Sequence, residues 1–190
     1  MQTMAAKQQD RKLLSFAIRI AAMNEIRLLF GEPLMGRSDL IRALRDLQAR
    51  YGCVILALDS RLVVSERHIL FATEKALLAF SEGRNVANDL GVEIMRYASG
   101  ERQIEKALAI GASNSTQRVA LLLVSSNRVC PLPEASELSP IVKLDAQGCS
   151  FDQEVVRAAY NISAEEIDAA GIERIPDLVV ERVALVETCR

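Results

Sequence analysis

The chain has 190 residues, half of them apolar and a quarter charged, which is the composition of one folded domain and excludes a disordered polypeptide. No apolar run reaches the roughly 20 residues that cross a bilayer, and no secretory signal opens the chain, so we expect a cytoplasmic protein. Residues 1–130 carry 18 basic and 13 acidic side chains, and residues 131–190 carry 5 and 12, for a total of −2. This acidic last third predicts either a separate binding surface or, more simply, solvated charge.

Residues 1–12 are polar and are predicted to form a flexible tail, with residues 13–190 forming the domain. Segment 13–22 alternates apolar and polar residues in part, as a half-buried strand does, and residues 24–30 continue the sheet or form a second strand. The pattern therefore predicts that the sheet begins near the start of the domain.

Ser38 is predicted to cap a helix that ends at Gly52, with apolar side chains at the 3.6-residue period. The wholly apolar run 53–59 predicts a central strand covered on both faces. Ser65 is predicted to cap the next helix, with Glu66 in its first turn. The core stripe expected on that helix consists of Ile69, Ala72, Ala76, Leu77 and Phe80.

A shorter helix is predicted to begin near Asn88, and another in ERQIEKALAI, residues 101–110, with Ile104, Ala107 and Leu108 facing the core. Gly111 is predicted to end this second helix in a left-handed cap. VALLLVS, residues 119–125, predicts a second central strand.

Three prolines make residues 127–140 a linker without regular structure through most of its length, and residues 140–145 predict an edge strand. Capping boxes are predicted at Ser150 with Gln153 and at Ser163 with Glu166. The alternation of strands and helices indicates an α/β fold.

The last segment, IPDLVVERVALVETCR, places Pro176 in the first turn of a helix. Residues 178–186 are too apolar for an ordinary surface helix, because only Glu181 and Arg182 form a polar strip. The segment therefore lies in the core, which is the favoured interpretation, or has one face covered by another protein.

The sequence contains few motifs that indicate catalysis or metal binding. The one histidine, His68, has no recognisable nucleophile or carboxylate partner, and the four cysteines lack metal-binding spacing. We expect no metal and no cofactor. Because catalytic residues can be scattered along a chain, a small-molecule enzyme that uses His68 and nearby carboxylates stays as the alternative function.

Residues 60–111 balance seven basic against seven acidic groups, which excludes a broad nucleic-acid footprint but leaves room for a site of a few nucleotides. Its candidate residues are Arg96, with Arg102 and Lys106 four apart on one predicted helix face. With no Trp and only eight other aromatic residues, a multi-base stacking platform is not expected.

The run VSERHILFATEKALLAFSEGRNVANDLGVEIMRYASGERQIEKALAIGA, with DSRLVV before it and LVVERVALVE near the end, resembles the kinase-binding subunit of the KEOPS complex, the PRPK-binding protein family. NDLGVEIMRYASGERQIEKAL, residues 88–108, is the most specific part, and the likeness spans about residues 53–125 and the last helix. The core and the short length favour an archaeal source.

The resemblance implies a single α/β domain with helices packed on a mixed sheet. It also implies a non-catalytic subunit of a machine that forms threonylcarbamoyladenosine in tRNA. Relatives bind and stimulate the atypical kinase or ATPase subunit, work indirectly with the transferase subunit, and in archaea hold the 3′ CCA end of the tRNA.

Placed on this chain, the resemblance assigns two hypothetical surfaces. The tRNA end is expected at a helix-start pocket whose residues are Arg96, Ser99, Gly100, Arg102, Gln103 and Lys106. The kinase is expected to contact apolar side chains of the last helix, namely Leu178, Val179, Val183 and Val186.

Overall fold

Four strands form one antiparallel sheet in the computed structural model, which describes residues 25–125 and 131–187. The strands are β1 (Glu25–Pro33), β2 (Val54–Asp59), β3 (Val119–Ser125) and β4 (Val142–Asp145), in the order β2-β3-β1-β4. The predicted single α/β domain is confirmed. Every described strand pair is antiparallel, whereas the resemblance implied a mixed sheet.

Eight α-helices lie in the described ranges: α1 (Arg37–Tyr51), α2 (Glu66–Ser81), α3 (Leu90–Ala98), α4 (Ile104–Ala107), α5 (Ala135–Leu138), α6 (Gln153–Ala159), α7 (Ala164–Ala170) and α8 (Ile175–Leu185). Short 3-10 turns occupy Ser60–Leu62, Leu108–Ile110 and Ile172–Arg174. None of these described helices is both long enough and apolar enough to cross a membrane. The predicted tail and the strand predicted at 13–22 lie outside the described residues.

The sheet separates two core layers, and β3 contributes to both because its side chains alternate between the two faces of the sheet. Ala120, Leu122 and Val124 join the cluster beneath α2 and α3, and the intervening residues of β3 join the cluster beneath α1. All seven residues of β3 are buried, so the predicted central strand is confirmed.

Strand β2 was predicted to be central, and this prediction is wrong, because β2 lies at one edge of the sheet. Its side chains still enter both core layers, with Ile55 on one side and Leu58 on the other. Its outer edge is closed by Gln48, which accepts a hydrogen bond from Ile55 N–H at 2.8 Å, and by Ala112 N–H, which donates to the Ala57 carbonyl at 2.8 Å. An apolar run therefore indicates that both faces of a strand are covered. It does not indicate whether the strand is central or at an edge of the sheet.

Some helix ends follow local signals and others do not. Gly52 ends α1 in the left-handed region as predicted, and the Ser163–Glu166 capping box is formed. Helix α1 begins after Gly36 and not after Ser38, and the cap of α6 is Asp152 and not Ser150. The Asp152 carboxylate accepts hydrogen bonds from two backbone N–H groups, which a carboxylate at a helix N-cap does well.

Helix α4 is one turn long and continues as a 3-10 turn, so the longer helix predicted over residues 101–110 is wrong. Ala107 is buried, but Leu108 is 47% exposed and does not face the core. Gly111 is extended, with φ of −69°, and not left-handed. Within segment 127–140, which was predicted to be mostly irregular, α5 forms a single turn.

Candidate functional site

The Ser99-Gly100 break ends α3 so that the chain can turn beneath α8. Gly100 has φ of +69°, a conformation that side chains with a Cβ disfavour, and its N–H donates to the Tyr97 carbonyl at 3.0 Å. A Cβ at this position would lie 3.1 Å from the Cβ of Arg182 on α8. Glycine is therefore required here both by the turn and by the close approach of α8.

The helix-start pocket predicted after this break is not formed. Arg102 lies before α4, whose N-cap is Gln103, so Arg102 and Lys106 do not share a helix face. A single helical turn has little macrodipole to offer an anion. The Ser99 hydroxyl is already engaged, because it donates to the Arg96 carbonyl at 3.1 Å and accepts from Glu101 N–H at 3.2 Å.

Arg96, one of the six predicted tRNA contacts, is part of the core. Its side chain is 5% exposed and forms two hydrogen bonds with the fully buried carboxylate of Glu93, at 2.6 and 3.1 Å. Its guanidinium also lies 4.6 Å from the centre of the Tyr97 ring. Arg96 therefore cannot reach a nucleic acid without unfolding, and its assignment to the binding site is wrong.

The Glu93 carboxylate is the acceptor that makes this burial possible. It also accepts hydrogen bonds from the N–H groups of Val86 and Ala87, at 3.3 and 2.9 Å, and so fixes the loop before α3. Burial opposes its ionisation, but the hydrogen bonds from Arg96 and Ala87 outweigh that effect and lower the pKa of Glu93. The pair therefore stays ionised and holds α3 against this loop.

A groove of about 260 Å³ opens beside the Ser99-Gly100 turn. Its apolar walls come from distant parts of the chain: Leu62, Ala109, Ile110, Ala159 and Tyr160. Its polar lining is Ser99, Glu101 and Lys106, so two of the six predicted contacts, Ser99 and Lys106, meet here. Arg102 and Gln103 are exposed nearby in the chain and do not line the groove.

Tyr160 was missed by sequence reasoning, because only folding brings it to the turn. Its hydroxyl donates to the carbonyls of Leu62 and Ala98, at 3.1 and 3.0 Å, and so ties the end of α6 to the end of α3. Burial raises the pKa of Tyr160, which keeps the hydroxyl protonated as a donor. No local sequence signal marks a tyrosine that follows a helix as part of a groove.

His68 contacts the Ala98 carbonyl, which also accepts the hydrogen bond from Tyr160. Its Nε2 is 2.7 Å from Ala98 O, which makes Nε2 the protonated nitrogen, and its ring meets the Tyr160 ring edge-on. The side chain is 0% exposed, and burial lowers its pKa to about 4 against the opposing effect of the Ala98 carbonyl. A neutral, inaccessible imidazole is not placed to contact a diffusible substrate, so the structure gives His68 a packing role and does not support the alternative of an enzyme that uses it.

The four apolar residues predicted to contact a kinase are mostly core residues. Val179 and Val183 are 0% exposed and Val186 is 6% exposed, while Leu178 is half-buried against the core cluster that contains Val156 and Tyr160. Their side chains join two core clusters, which explains why the helix is so apolar. The core interpretation therefore holds for Val179, Val183 and Val186, which leaves only the half-buried Leu178 of the four with a side chain that a partner could contact.

No group of three or more metal-ligating side chains occurs within residues 25–125 and 131–187. Histidine and cysteine positions are thus not assembled into a metal centre in that part of the chain. The chemistry available at the groove is binding: one lysine, one carboxylate, a serine and an apolar wall that ends in a tyrosine.

Sequence comparison identifies the family. Residues 37–187 match the family model described as kinase binding protein CGI-121. The match runs from α1 to the end of α8 and includes the whole groove, so the chain belongs to this family of kinase-binding proteins. A search of curated proteins finds no match.

Proposed function

We propose that this member of the kinase-binding CGI-121 family is a non-catalytic accessory subunit of the KEOPS complex, in the cytoplasm. It binds and stimulates the atypical kinase or ATPase subunit, works indirectly with the transferase subunit, and helps to hold the 3′ CCA end of tRNA during threonylcarbamoyladenosine formation. The observation that carries the proposal is the family match over residues 37–187, which includes the specific segment 88–108.

The groove supports the tRNA half of the proposal by its size and lining. A volume of about 260 Å³ is below that of a site for a drug-sized ligand and suits one nucleotide. Single-stranded RNA ends are recognised by stacking on aromatic rings and by hydrogen bonds to unpaired base edges. The apolar wall provides the contact surface, although Tyr160 is 4% exposed and offers no free ring face, and the Glu101 carboxylate can accept a hydrogen bond from an exocyclic amino group of cytosine or adenine.

Charge supports a contact with few phosphates. Lys106 is exposed at the groove and can pair with one phosphate, while Arg102 and Gln103 are exposed just before α4. The balanced charge of residues 60–111 argues against a longer backbone footprint. The groove therefore suits a terminal nucleotide better than a duplex.

The test is binding of tRNA with and without its CCA end to the wild type, Lys106→Glu and Arg102→Glu. We expect Lys106→Glu to weaken binding of intact tRNA about tenfold and to lower the salt slope by about one. Arg102→Glu should have a smaller effect, because Arg102 does not line the groove. Lys143→Glu, an exposed lysine on β4, is the matched control and should bind as the wild type does.

Two results would contradict the proposal. If wild-type protein bound intact and CCA-trimmed tRNA equally, the tRNA-end role would be wrong. If the wild-type protein failed to capture the cognate KEOPS kinase at micromolar concentrations, the accessory-subunit role would fail.

A further inference from the structure

Glu74 is a half-buried carboxylate on the outer face of α2, and it has no hydrogen bond or ion pair to any described residue. Burial alone raises its pKa. The nearby cations are already used by other carboxylates, since Arg67 pairs with Asp177 at 3.3 Å and Lys75 with Glu187 at 3.8 Å. An isolated carboxylate that has lost part of its hydration is unfavourable unless a cation compensates it.

Apolar side chains surround this carboxylate. Leu70, Glu74 and Leu78 follow one another at four-residue spacing and so share one face of α2, with Phe71 beside them. Leu70 is 37% exposed, and Phe71 and Leu78 are half-buried. Isolated exposed apolar residues are ordinary, but here three of them share one helix face with an unpaired charge, and the Lys75 ammonium lies 5.6 Å from the centre of the Phe71 ring at its border.

Helix α2 packs beside the last helix. Arg67 near the start of α2 pairs with Asp177 near the start of α8, and Lys75 in the middle of α2 pairs with Glu187, two residues past the end of α8, so the two helices run in the same direction. The face formed by Leu70, Phe71, Glu74 and Leu78, called here the α2 face, is therefore presented by a helix that is itself supported by α8.

We infer that the α2 face is the surface that docks the kinase, and that a basic side chain of the kinase, set among apolar residues, pairs with Glu74. This inference rests on the proposed kinase-binding role and assigns it to a surface. Protein interfaces combine an apolar centre with few desolvated charges, and arginine is enriched there because it can pair while its stem packs on apolar groups. Charge complementarity at Glu74 selects a basic partner surface over an acidic one.

The test measures binding of the purified chain to its cognate kinase by calorimetry, for Glu74→Gln, Glu74→Lys and Leu70→Asp. We expect Glu74→Gln to weaken binding about tenfold, and Glu74→Lys and Leu70→Asp to weaken it further, because a like charge or a desolvated carboxylate then opposes the partner. Asp168→Lys on α7 makes the same charge change at an exposed position and should stay within about twofold of wild type.

A second measurement separates docking from folding. Because Glu74 has no partner in the free chain, Glu74→Gln should leave the thermal midpoint at or above that of the wild type. A variant with a lowered midpoint and a matching loss of kinase binding would indicate a structural role and overturn the inference.

The outcomes also separate this inference from the proposed function. If the wild type binds the kinase and both Glu74 variants bind within about twofold, the α2 face is the wrong surface and the kinase-binding role stands. If the wild type does not bind the kinase at all, both fail.

Discussion

Arg96 and Lys106 lie ten residues apart in the most family-specific part of the chain, yet their environments are opposite. Arg96 is 4% exposed and paired with a buried carboxylate, whereas Lys106 is exposed at the mouth of a groove. The difference comes from what each side chain meets: Glu93, one helical turn before Arg96, faces the core with it, and no described carboxylate pairs with Lys106. A basic residue in a motif is thus available to bind a partner only where the fold leaves it unpaired and exposed.

Arg96→Ala tests whether the buried Arg96 is structural, and it should change stability more than the other variants considered below. It leaves Glu93 buried without its cation and should lower the free energy of unfolding by about 3–5 kcal/mol. Urea denaturation at pH 7 measures it, with exposed Arg102→Ala as the control, for which we expect a change within about 0.5 kcal/mol. A loss below about 1 kcal/mol for Arg96→Ala would mean that the buried pair is not structural.

The pH dependence of stability gives the next effect. His68 has a folded pKa of about 4 against 6.5 for an unperturbed histidine, so between these values the unfolded chain binds the additional proton. The stability that neutral His68 provides is complete above pH 6.5 and is lost as the pH falls toward 4. The total loss is roughly 3 kcal/mol at 1.36 kcal/mol per pKa unit.

Denaturation of the wild type and His68→Gln between pH 4 and 7.5 isolates this contribution. The glutamine amide can still donate to the Ala98 carbonyl but does not titrate in this range. We expect the wild type to lose more stability than the variant as the pH falls. Parallel pH profiles would show that His68 is not held neutral in the folded chain.

The smallest change in stability is expected at the Ser99-Gly100 turn, which lies between Arg96 and Lys106 in the chain. Gly83 and Gly100 both have left-handed backbones, but only Gly100 has a close neighbour, Arg182 on α8. We expect Gly83→Ala to cost about 1 kcal/mol from the backbone alone and Gly100→Ala about 2 kcal/mol, because a methyl group there also presses on α8.

Thermal or urea denaturation of Gly83→Ala and Gly100→Ala measures this difference in stability. Equal losses would mean that the approach of α8 does not constrain the Ser99-Gly100 turn, and that this turn is set by its backbone alone. If Gly100→Ala is the more destabilising variant, it should also weaken the tRNA binding proposed for the groove, because Ser99 lines the groove.

Much of the fold was predictable because local chemistry specifies it. The apolar run 119–125 predicted a fully buried strand, Ser163 with Glu166 predicted a helix start, and Gly52 predicted a helix end. Each depends on residues within a few positions of one another. The same local rules failed at Gly111, where the bridge between Leu58 and Gly111 extends the backbone instead of leaving a free helix end.

The candidate site was predictable only in part. Ser99 and Lys106 lie in one short segment, and the family-specific sequence pointed to them. Leu62 and Tyr160, the residues that complete the groove, are 37 residues or more away from Ser99 in the chain. Arg96 is buried because Glu93 pairs with it. Without that partner, burying the Arg96 cation would be strongly unfavourable, and the side chain would be exposed as the motif suggested.

Short-range patterns and composition were enough to predict where most helices and strands form, the excess of apolar residues in 178–186 and the family to which the motifs point. The edge position of β2, the burial of Arg96 and His68, and the place of Val179 and Val183 in the core became visible only in the folded chain. Burial and pairing are made by groups distant in the chain, and their energies exist only once folding has brought these groups together.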